Sequence, residues 1–452
     1  MRLHSPRVDI QRLRQLIAAG DAAAAGELAF ALSALELAEV LVRLGPAELS
    51  ELEPHLGTER LADAVAELDP TEAARLIVRF SRAEAADILE EMEPDDATDV
   101  VEELRLAEAE GILAEMRASE AEEIRELMSY PPDTAGGRMT PEFVSISPSI
   151  TVAAAMRLIR AQAPDAETIY YVYVTDPREQ LLGVVSLRDL VIADPQARIA
   201  DVMRRQVIRL PASADQEQAA RVVMEHNFLA IPVVDDDSRL IGVITADDVQ
   251  DVLEEEATED IERLGGSEPL HEPYLAASLR GLFRKRVVWL MALFIAGTAT
   301  SAVLHSFADT LEQVVALTFF IPLLIGTGGN VGSQIVTTVV RALAVGDVAF
   351  GDAWRVLRRE MIVGTSIAVV MATAMYIRAQ TMAVDPAIAV AVAVAAVFIV
   401  IWSAFVAAVL PLVLSRVGVD PAIVSAPLII TLVDATGLVM YLNVARLVLG
   451  LN

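Results

Sequence analysis

The hydrophobic positions divide the chain into a polar first part and an apolar last part. A helix that crosses a bilayer needs about 20 mostly apolar residues. The apolar stretches after residue 286 are Val287–Phe307, Gln313–Val340, Met361–Ile377, Ala387–Leu414 and Ala422–Ala445. We therefore predict five transmembrane helices, the third of them short. Pro322 and Pro411 fall inside the second and fourth stretches, where a missing amide donor predicts a kink.

Residues 1–128 are predicted to form short helices. They are rich in Ala, Leu and Glu and carry no strand pattern. Twelve-residue units begin at Asp69, Ser81 and Glu93, each with an acid three residues on and apolar pairs at its end. Such short helices cannot bury an apolar face alone, so they should stack into a superhelical solenoid. Asp95 and Asp99 are four residues apart and share a helix face.

A second repeat occupies residues 140–253. The segments from Tyr171 and Leu181 recur 59 residues later, from Ala230 and Leu240. Each copy predicts a strand, a turn, a strand and a helix, preceded by a helical stretch (153–163 and 216–227). The recurring Gly-x-x-Ser/Thr-x-x-Asp resembles a pair of cystathionine-β-synthase (CBS) domains. The resemblance implies a cleft for ATP or another adenine nucleotide, with Asp189 and Asp248 as ribose-facing candidates.

An acidic helix is predicted from Asp248 to Leu264, just before the apolar part. At 100° per residue, five of its acids lie within about 80° of one another: Asp248, Asp251, Glu255, Glu259 and Glu262. Like charges at this spacing destabilise a helix by about 0.2–0.5 kcal/mol per pair. The face is therefore either solvated or supplied with cations.

Charge follows the same division of the chain. Residues 1–270 hold 55 acids and 24 bases, whereas residues 271–452 hold 9 and 11, within a net charge of −29. The acidic part would be repelled by a phosphate backbone, so we expect no nucleic-acid partner. The absence of Cys excludes disulfide scaffolds, thiol nucleophiles and thiolate metal sites. No nucleophile–base pair or metal-hydrolase motif stands out, so an enzyme is not expected. The binding of hard cations by oxygen ligands remains open.

The distribution of bases also predicts an orientation in the membrane. Residues 1–30 lack the continuous apolar core of a signal peptide, so the N-terminal region should stay in the cytoplasm. Nine bases then flank the spans inside and two, Arg378 and Arg446, flank them outside. The positive-inside rule therefore agrees with a multi-pass protein of five spans whose C-terminus lies outside, whereas an even number of spans would place the C-terminus inside.

Two polar segments interrupt the predicted spans. Four glycines between residues 326 and 332 accompany Asn330 and Gln334, which share a face. Clustered glycines serve close helix packing, and amide oxygens could line an ion path. Asp434 in the last span costs about 2.5–3.5 kcal/mol to insert, so it should face a partner or a water-filled path. It is either a neutral acid held by a hydrogen bond or a cation site.

The oxygen ligands of this region suit Mg²⁺, Ca²⁺ or Mn²⁺. A single Asp cannot strip an ion of water, and Mg²⁺ keeps several of its waters. A sparse ring of oxygens around a hydrated ion therefore fits these residues. A symmetry mate would complete the ring, so we expect a homodimer with its axis along the pore.

The ordered set of motifs resembles the MgtE family of magnesium channels over essentially the full chain. The motifs are the junction Tyr130–Thr140, the CBS pair, the helix end Ala257–Gly265, Gly329-Asn330-x-Gly332-x-Gln334, and Asp434-x-x-Gly437. The resemblance implies a dimeric Mg²⁺-selective channel for influx across the bacterial plasma membrane, closed when cytoplasmic Mg²⁺ is plentiful. It implies an N domain at 1–130, tandem CBS domains at 131–253, a connecting helix at 248–270 and a transmembrane pore domain at 271–452.

Matching motifs carry roles to individual residues. Asp434 is similar to the family's pore acid, and Asn330 and Gln334 match its pore helix. The implied Mg²⁺-sensing carboxylates are Asp95, Asp99, Asp215, Glu217, Asp248, Asp251, Glu256, Glu259 and Asp260, with Asp420 paired to the connecting helix through a shared ion. Asn227 stands where a further sensing acid could be expected. The alternatives are a transporter of another divalent cation, Mn²⁺ or Co²⁺, and a membrane-anchored Mg²⁺ or nucleotide sensor.

Overall fold

The fold is that of a multidomain membrane protein with an all-α superhelical N domain, an α/β CBS pair, a connecting helix and five apolar helices. A computed structural model describes residues 6–163, 166–270, 274–275 and 277–451. Two compact units form within it. Of the described residues, one unit contains 6–163, 166–256 and 274–275, and the other contains 257–270 and 277–451. The predicted fold class is confirmed.

Ten short helices build the start of the first unit. They are α1 Pro6–Ala18, α2 Ala22–Phe30, α3 Ala34–Arg43, α4 Pro46–Leu52, α5 Thr58–Ala66, α6 Pro70–Ile77, α7 Arg82–Glu90, α8 Pro94–Glu102, α9 Leu106–Leu113 and α10 Ala118–Leu127. Alternate helices pack together, α5 on α7, α6 on α8, α7 on α9 and α8 on α10, as in a solenoid. Their apolar pairs, such as Leu76 with Ile77 and Ile88 with Leu89, form one buried core.

The caps explain where the repeated helices begin. Asp69 accepts a hydrogen bond from the amide of Thr71, and Ser81 forms a capping box with Glu84. The third unit differs, because Glu93 makes no side-chain cap and α8 instead starts with Pro94 at its first position. The Glu93 carboxylate is thereby left for other contacts.

Two three-stranded sheets follow, and their elements repeat as predicted. The first repeat contains β1 Phe143–Ile146, α11 Val152–Gln162, β2 Thr168–Thr175, β3 Leu181–Ser186, α12 Leu187–Ile192 and α13 Ile199–Val202. The second contains β4 Leu210–Pro211, α14 Gln216–His226, β5 Ala230–Val234, β6 Leu240–Thr245 and α15 Ala246–Leu264. In each sheet the first strand pairs parallel to the second, which pairs antiparallel to the third. Asn227 ends α14 in the left-handed conformation, with φ 52°, which an Asn tolerates better than most residues.

Five helices of the second unit are long and apolar enough to cross a membrane. They are α16 Leu279–Ser306, α18 Ile321–Ala344, α19 Ala353–Thr381, α20 Pro386–Arg416 and α21 Ala426–Leu449, and a short helix α17 Ala308–Gln313 follows α16. The third span has 29 residues and is longer than its apolar stretch, because its polar ends continue the helix. Pro411 lies inside α20, as expected.

The expectation of a kink at Pro322 was wrong. A 3₁₀ turn at Val315–Phe320 precedes α18, so Pro322 occupies the first turn of that helix. An amide donor is not needed there, and the fixed φ of proline suits a helix start.

Candidate metal sites

Carboxylates of α8 form the most buried acidic group in the described part of the chain. Asp95 is only 8% exposed, and its Oδ1 has no hydrogen-bond partner. Burial raises the pKa of Asp95 well above its usual range, and repulsion from Asp248 and Asp96 raises it further. Burial likewise raises the pKa of Asp96 to about 7. An orphaned, buried carboxylate oxygen is costly unless a cation or a proton joins it.

Acids from three separate segments meet around Asp95. Carboxylate oxygens of Glu93, Asp95 and Glu167 lie within 4.8 Å of one another, and so do those of Glu167, Asp247 and Asp248. Burial raises the pKa of Glu167 to about 8, with Asp248 and Glu93 adding to the shift. Together with Asp96, these five residues form what we call the acidic cluster.

The fold fixes each member of the acidic cluster. Glu93 and Asp95 are placed by the start of α8, and Glu167 lies directly before β2. Asp248 in the first turn of α15 accepts hydrogen bonds from the amide (3.0 Å) and hydroxyl (2.6 Å) of Thr245. The acidic cluster therefore contains carboxylates from the solenoid, the first CBS repeat and the connecting helix α15. Carboxylate oxygens are ligands suited to Mg²⁺.

The guanidinium of Arg138 forms ion pairs with acids next to the acidic cluster. Arg138 donates to Asp99 (3.0 Å), to the side-chain oxygen of Gln216 (3.0 Å) and to Glu255 (2.6 Å). Burial raises the pKa of Asp99 to about 6, although Arg138 opposes the shift. Arg138 also opposes the rise in the pKa of Asp251, which burial and Glu254 cause.

The remaining sensing candidates of the first unit have other contacts. Asp215 caps α14 by accepting from the amides of Glu217 (3.0 Å) and Gln218 (3.4 Å). Glu217 pairs with Arg221 at 3.0 Å, and Glu256 accepts from the side-chain Nε2 of Gln216 at 2.7 Å. Asp215 and Glu217 thus lie outside the acidic cluster, and their role in Mg²⁺ binding stays a prediction.

In the second unit, Asp420 contacts the end of the connecting helix directly. Arg263 pairs with both Glu259 and Asp420, and Asp420 also caps the short turn that follows it by accepting from the amide of Ala422 (2.7 Å). Asp260 is half-buried on the same helix. Asp420 thus contacts α15 through an arginine ion pair, and the shared ion that was expected to join them stays a prediction.

The glycines of α18 pack against neighbouring helices. A Cβ on Gly328 would lie 2.6 Å from Ile399 and 2.9 Å from Val433, and one on Gly332 would lie 2.6 Å from Ile429. The Ser403 hydroxyl donates to the Gly328 carbonyl at 2.6 Å. These two glycines therefore serve close packing of α18 on α20 and α21, the structural role that clustered glycines allow.

Polar side chains adjoin this packing seam. Asn330 and Gln334 are exposed on α18, and Asp434 follows Val433 on α21. Oδ1 of Asp434 is buried and has no hydrogen-bond partner among the described residues. Two residues along α21, Thr436 accepts from the indole of Trp402 at 2.9 Å. Asp434 is thus a half-buried acid with an unsatisfied oxygen inside a span.

The two nucleotide candidates differ in their surroundings. Asp248 belongs to the acidic cluster, which would repel a phosphate chain. Asp189 lies 3.7 Å from Arg204. Residues that follow Arg204 line a cavity of about 420 Å³, among them Arg205, Gln206 and Arg209.

Sequence reasoning missed several residues of this region. Asp96 and Asp247 are direct neighbours of the predicted ligands Asp95 and Asp248, and Glu93 lies two residues before Asp95, so their positions in the sequence were an available signal. Glu167 and Arg138 carried no such signal, because tertiary packing brings Glu167 into the acidic cluster and Arg138 to Asp99 beside it.

Comparison with known proteins agrees with this architecture. Residues 32–133 match the MgtE intracellular N domain, residues 135–195 and 199–255 match CBS domains, and residues 321–444 match the divalent cation transporter domain MgtE. The magnesium transporter MgtE of Thermus thermophilus is 45% identical over 327 residues, 72% of each chain. The chain belongs to the MgtE family. The MgtE of Enterococcus faecalis is 35% identical over 328 residues, 72% of this chain and 71% of that one.

Two solved structures resemble more than half of this chain. The soluble part of a magnesium transporter matches 56% of this chain and all of its own, with TM-score 0.52 and 36% identity. The cytosolic domain of the Mg²⁺ channel MgtE in complex with ATP matches 54% of this chain and 99% of its own, with TM-score 0.51 and 34% identity. As an MgtE protein with five apolar helices, the chain is a multi-pass membrane protein of a transporter family.

Proposed function

We propose that this protein is a homodimeric, Mg²⁺-selective channel for magnesium influx. The observation that carries the proposal is Asp434, a carboxylate inside a span with an orphaned buried oxygen. A membrane-embedded acid of this kind marks an ion path. The relatives' names, magnesium transporter, favour Mg²⁺ as the substrate.

A second copy would complete the path. One carboxylate supports a hydrated ion weakly, and a two-fold axis beside α18 and α21 would add a second Asp434 with Asn330 and Gln334 from each chain. None of the 28 residues of α16 is buried in the single chain, which leaves a wide apolar surface for lipid or partner. The membrane potential would drive entry, at about 4.6 kcal/mol per 100 mV for a divalent ion.

Cytoplasmic Mg²⁺ would close this channel through the acidic cluster. The donor set fits the ion, because the cluster consists of carboxylates and Oδ1 of Asp95 lacks a partner. Bound Mg²⁺ would supply positive charge between acids that otherwise repel. Moving a two-state equilibrium from 1:99 to 99:1 takes about 5.5 kcal/mol, or roughly 0.9 kcal/mol for each of six ions.

The orientation belongs to the same proposal. The N domain and CBS pair would lie in the cytoplasm and the C-terminus outside a bacterial plasma membrane, since nine of the eleven bases that flank the spans fall on the inner side. The domain limits 1–130, 131–253, 248–270 and 271–452 remain our assignment. The helical part of the connecting segment ends at Leu264.

An adenine nucleotide would regulate rather than power this channel. A related cytosolic domain was crystallised with ATP. The basic cavity lined by Arg205 and Arg209 supports a nucleotide beside the first CBS repeat, and Asp189 lies 3.7 Å from Arg204, the residue before that cavity. The acidic surroundings of Asp248 disfavour it as a second ribose contact.

Mg²⁺ flux into proteoliposomes tests the pore assignment. We expect Asp434→Asn to abolish flux, because it removes the charge and keeps the shape, whereas Asp347→Asn in the exposed loop after α18 should leave flux intact. Flux that survives Asp434→Asn would refute the pore assignment. Equal flux of Mn²⁺ or Co²⁺ would favour a broader divalent transporter, and no flux from the wild type would favour a membrane-anchored sensor.

A further inference from the structure

The junction between the solenoid and the first CBS repeat holds a side chain that the proposed function does not use. We propose that the Arg138 guanidinium is a built-in counter-ion that joins α8, α14 and α15 and takes the place of one divalent cation between them. This inference rests on the proposed binding of Mg²⁺ to the acidic cluster and deepens it, because it states which neighbouring position needs no ion.

The contacts of Arg138 come from three different elements. Asp99 belongs to α8, Gln216 to α14 and Glu255 to α15, and each accepts from a different nitrogen of the same guanidinium at 3.0, 3.0 and 2.6 Å. The side chain is 19% exposed, and that of Asp99 is 24% exposed. A planar guanidinium suits such a site, since it carries several donors in a fixed fork and stays charged at every accessible pH.

The backbone around Arg138 is held on both sides. Gly136 donates to the carbonyl of Ala212 at 2.9 Å, and Thr140 exchanges amide hydrogen bonds with Val243. A Cβ on Gly137 would lie 2.4 Å from the carbonyl oxygen of Pro131, so only glycine fits that close approach. The Pro-Pro-Asp-Thr-Ala-Gly-Gly segment thus fixes where the guanidinium begins, and little ordering is needed for it to bridge the three helices.

The acidic cluster beside it lacks such a cation. Within residues 6–163, 166–270, 274–275 and 277–451, no lysine or arginine forms an ion pair with any of the six acids of the cluster. The acids of this region therefore divide into a group with a permanent counter-ion and a group that depends on a soluble one. Arg138 keeps Asp99 and Glu255 paired at any Mg²⁺ concentration. The dependence on Mg²⁺ is therefore confined to the acidic cluster.

The thermodynamic linkage between Mg²⁺ binding and helix assembly provides a test of this inference. If Arg138 replaces an ion, its removal must increase the number of Mg²⁺ ions taken up when α8, α14 and α15 assemble, and the steepness of the transition must rise with that number. A guanidinium with only a packing role would shift the midpoint without changing ion number or steepness.

The experiment uses the full-length protein in detergent. Equilibrium dialysis measures bound Mg²⁺, and hydrogen exchange of residues 94–102 and 246–256 follows assembly as Mg²⁺ is varied. For Arg138→Gln we expect one more bound ion per chain, a steeper transition and a midpoint about tenfold higher, because charge-assisted hydrogen bonds are lost. Arg138→Lys should retain the wild-type ion number, and Arg117→Gln, which removes an exposed arginine paired with Glu90, should change neither quantity.

A double variant locates the added ion. Asp99→Asn in the Arg138→Gln background removes the carboxylate that would hold it, so the bound number should return to the wild-type value. An unchanged ion number in Arg138→Gln, or a Lys variant that behaves like the Gln variant, would overturn the inference. A wild type that takes up no Mg²⁺ as these segments become protected would instead overturn the proposed sensing function.

Discussion

At the scale of single residues, Asp95 shows why the carboxylates of the acidic cluster, without a metal ion, oppose the packing of the solenoid against the CBS pair and α15. It is buried, one of its oxygens is unpaired, and its neighbours are acids. Asp95→Asn keeps the shape and removes the charge, so we expect fewer bound Mg²⁺ ions and stronger protection of α8 from hydrogen exchange in EDTA. Asp87→Asn changes an exposed acid of α7 and serves as the control. Equal Mg²⁺ binding by Asp95→Asn and wild type would contradict the metal assignment.

Two glycines of α18 offer a matched pair at the same scale. A Cβ at Gly332 would meet Ile429 at 2.6 Å and the hydroxyl of Ser403 at 2.7 Å, whereas a Cβ at Gly326 would meet nothing within 4 Å. Overpacking of this kind typically costs about 1–3 kcal/mol, so Gly332→Ala should lower the thermal midpoint of the detergent-solubilised protein. Gly326→Ala should hold or raise it, because Ala is the better helix former. Similar midpoints for both variants would show that α18 does not pack as described.

At the scale of elements, Arg263 ties the end of α15 to the turn before α21 through Glu259 and Asp420. The pairs are partly exposed, so we expect Arg263→Gln to loosen this end locally rather than unfold the unit. Hydrogen exchange of residues 257–264 should rise severalfold, while that of α20 stays constant. Arg355→Gln, which removes an exposed pair with Asp352, is the control. Unchanged exchange at 257–264 would mean that other contacts hold this helix end.

Elements with a local signal were predictable, and contacts between elements were not. The twelve-residue units and the 59-residue repeat gave the solenoid and CBS pair because their apolar periods are set within each element. Pro322 was misplaced because a run of apolar residues does not mark the change from a 3₁₀ turn to α18. Glu167 and Arg138 were missed because their partners lie on helices far away in sequence, 72 residues between Glu167 and Asp95 and 117 between Arg138 and Glu255.

At the scale of the whole molecule, the charge division sets the response to pH. In metal-free protein, burial raises the pKa of Asp99 to about 6, of Asp96 to about 7 and of Glu167 to about 8. The assembled acids bind more protons than separated ones, so linkage makes assembly most stable at low pH and less stable as pH rises. The loss should run from about pH 4, where free carboxyl groups ionise, through the raised value of Glu167.

The charged groups that face this titration are Glu93 directly before α8, Asp95, Asp96, Asp99 and Glu102 on α8, Glu167 before β2, Asp247, Asp248, Asp251, Glu254 and Glu255 on α15, and Arg138 in the junction. Of these, only Arg138 stays positive throughout. Mg²⁺ supplies the missing charge at high pH, so it should remove most of the pH dependence.

The absence of Cys makes this measurable with two introduced labels, Ser119→Cys in α10 and Gln206→Cys after α13. In EDTA, the distribution of distances between spin labels at these sites should broaden as pH rises from 5 to 9, whereas saturating Mg²⁺ should keep it narrow at pH 8. The same pair in an Asp95→Asn background should broaden less, since one repelling charge is gone. A distribution that stays narrow in EDTA across this range would show that contacts other than charge hold the solenoid to the CBS pair, and the acidic cluster would then not be the element that Mg²⁺ controls.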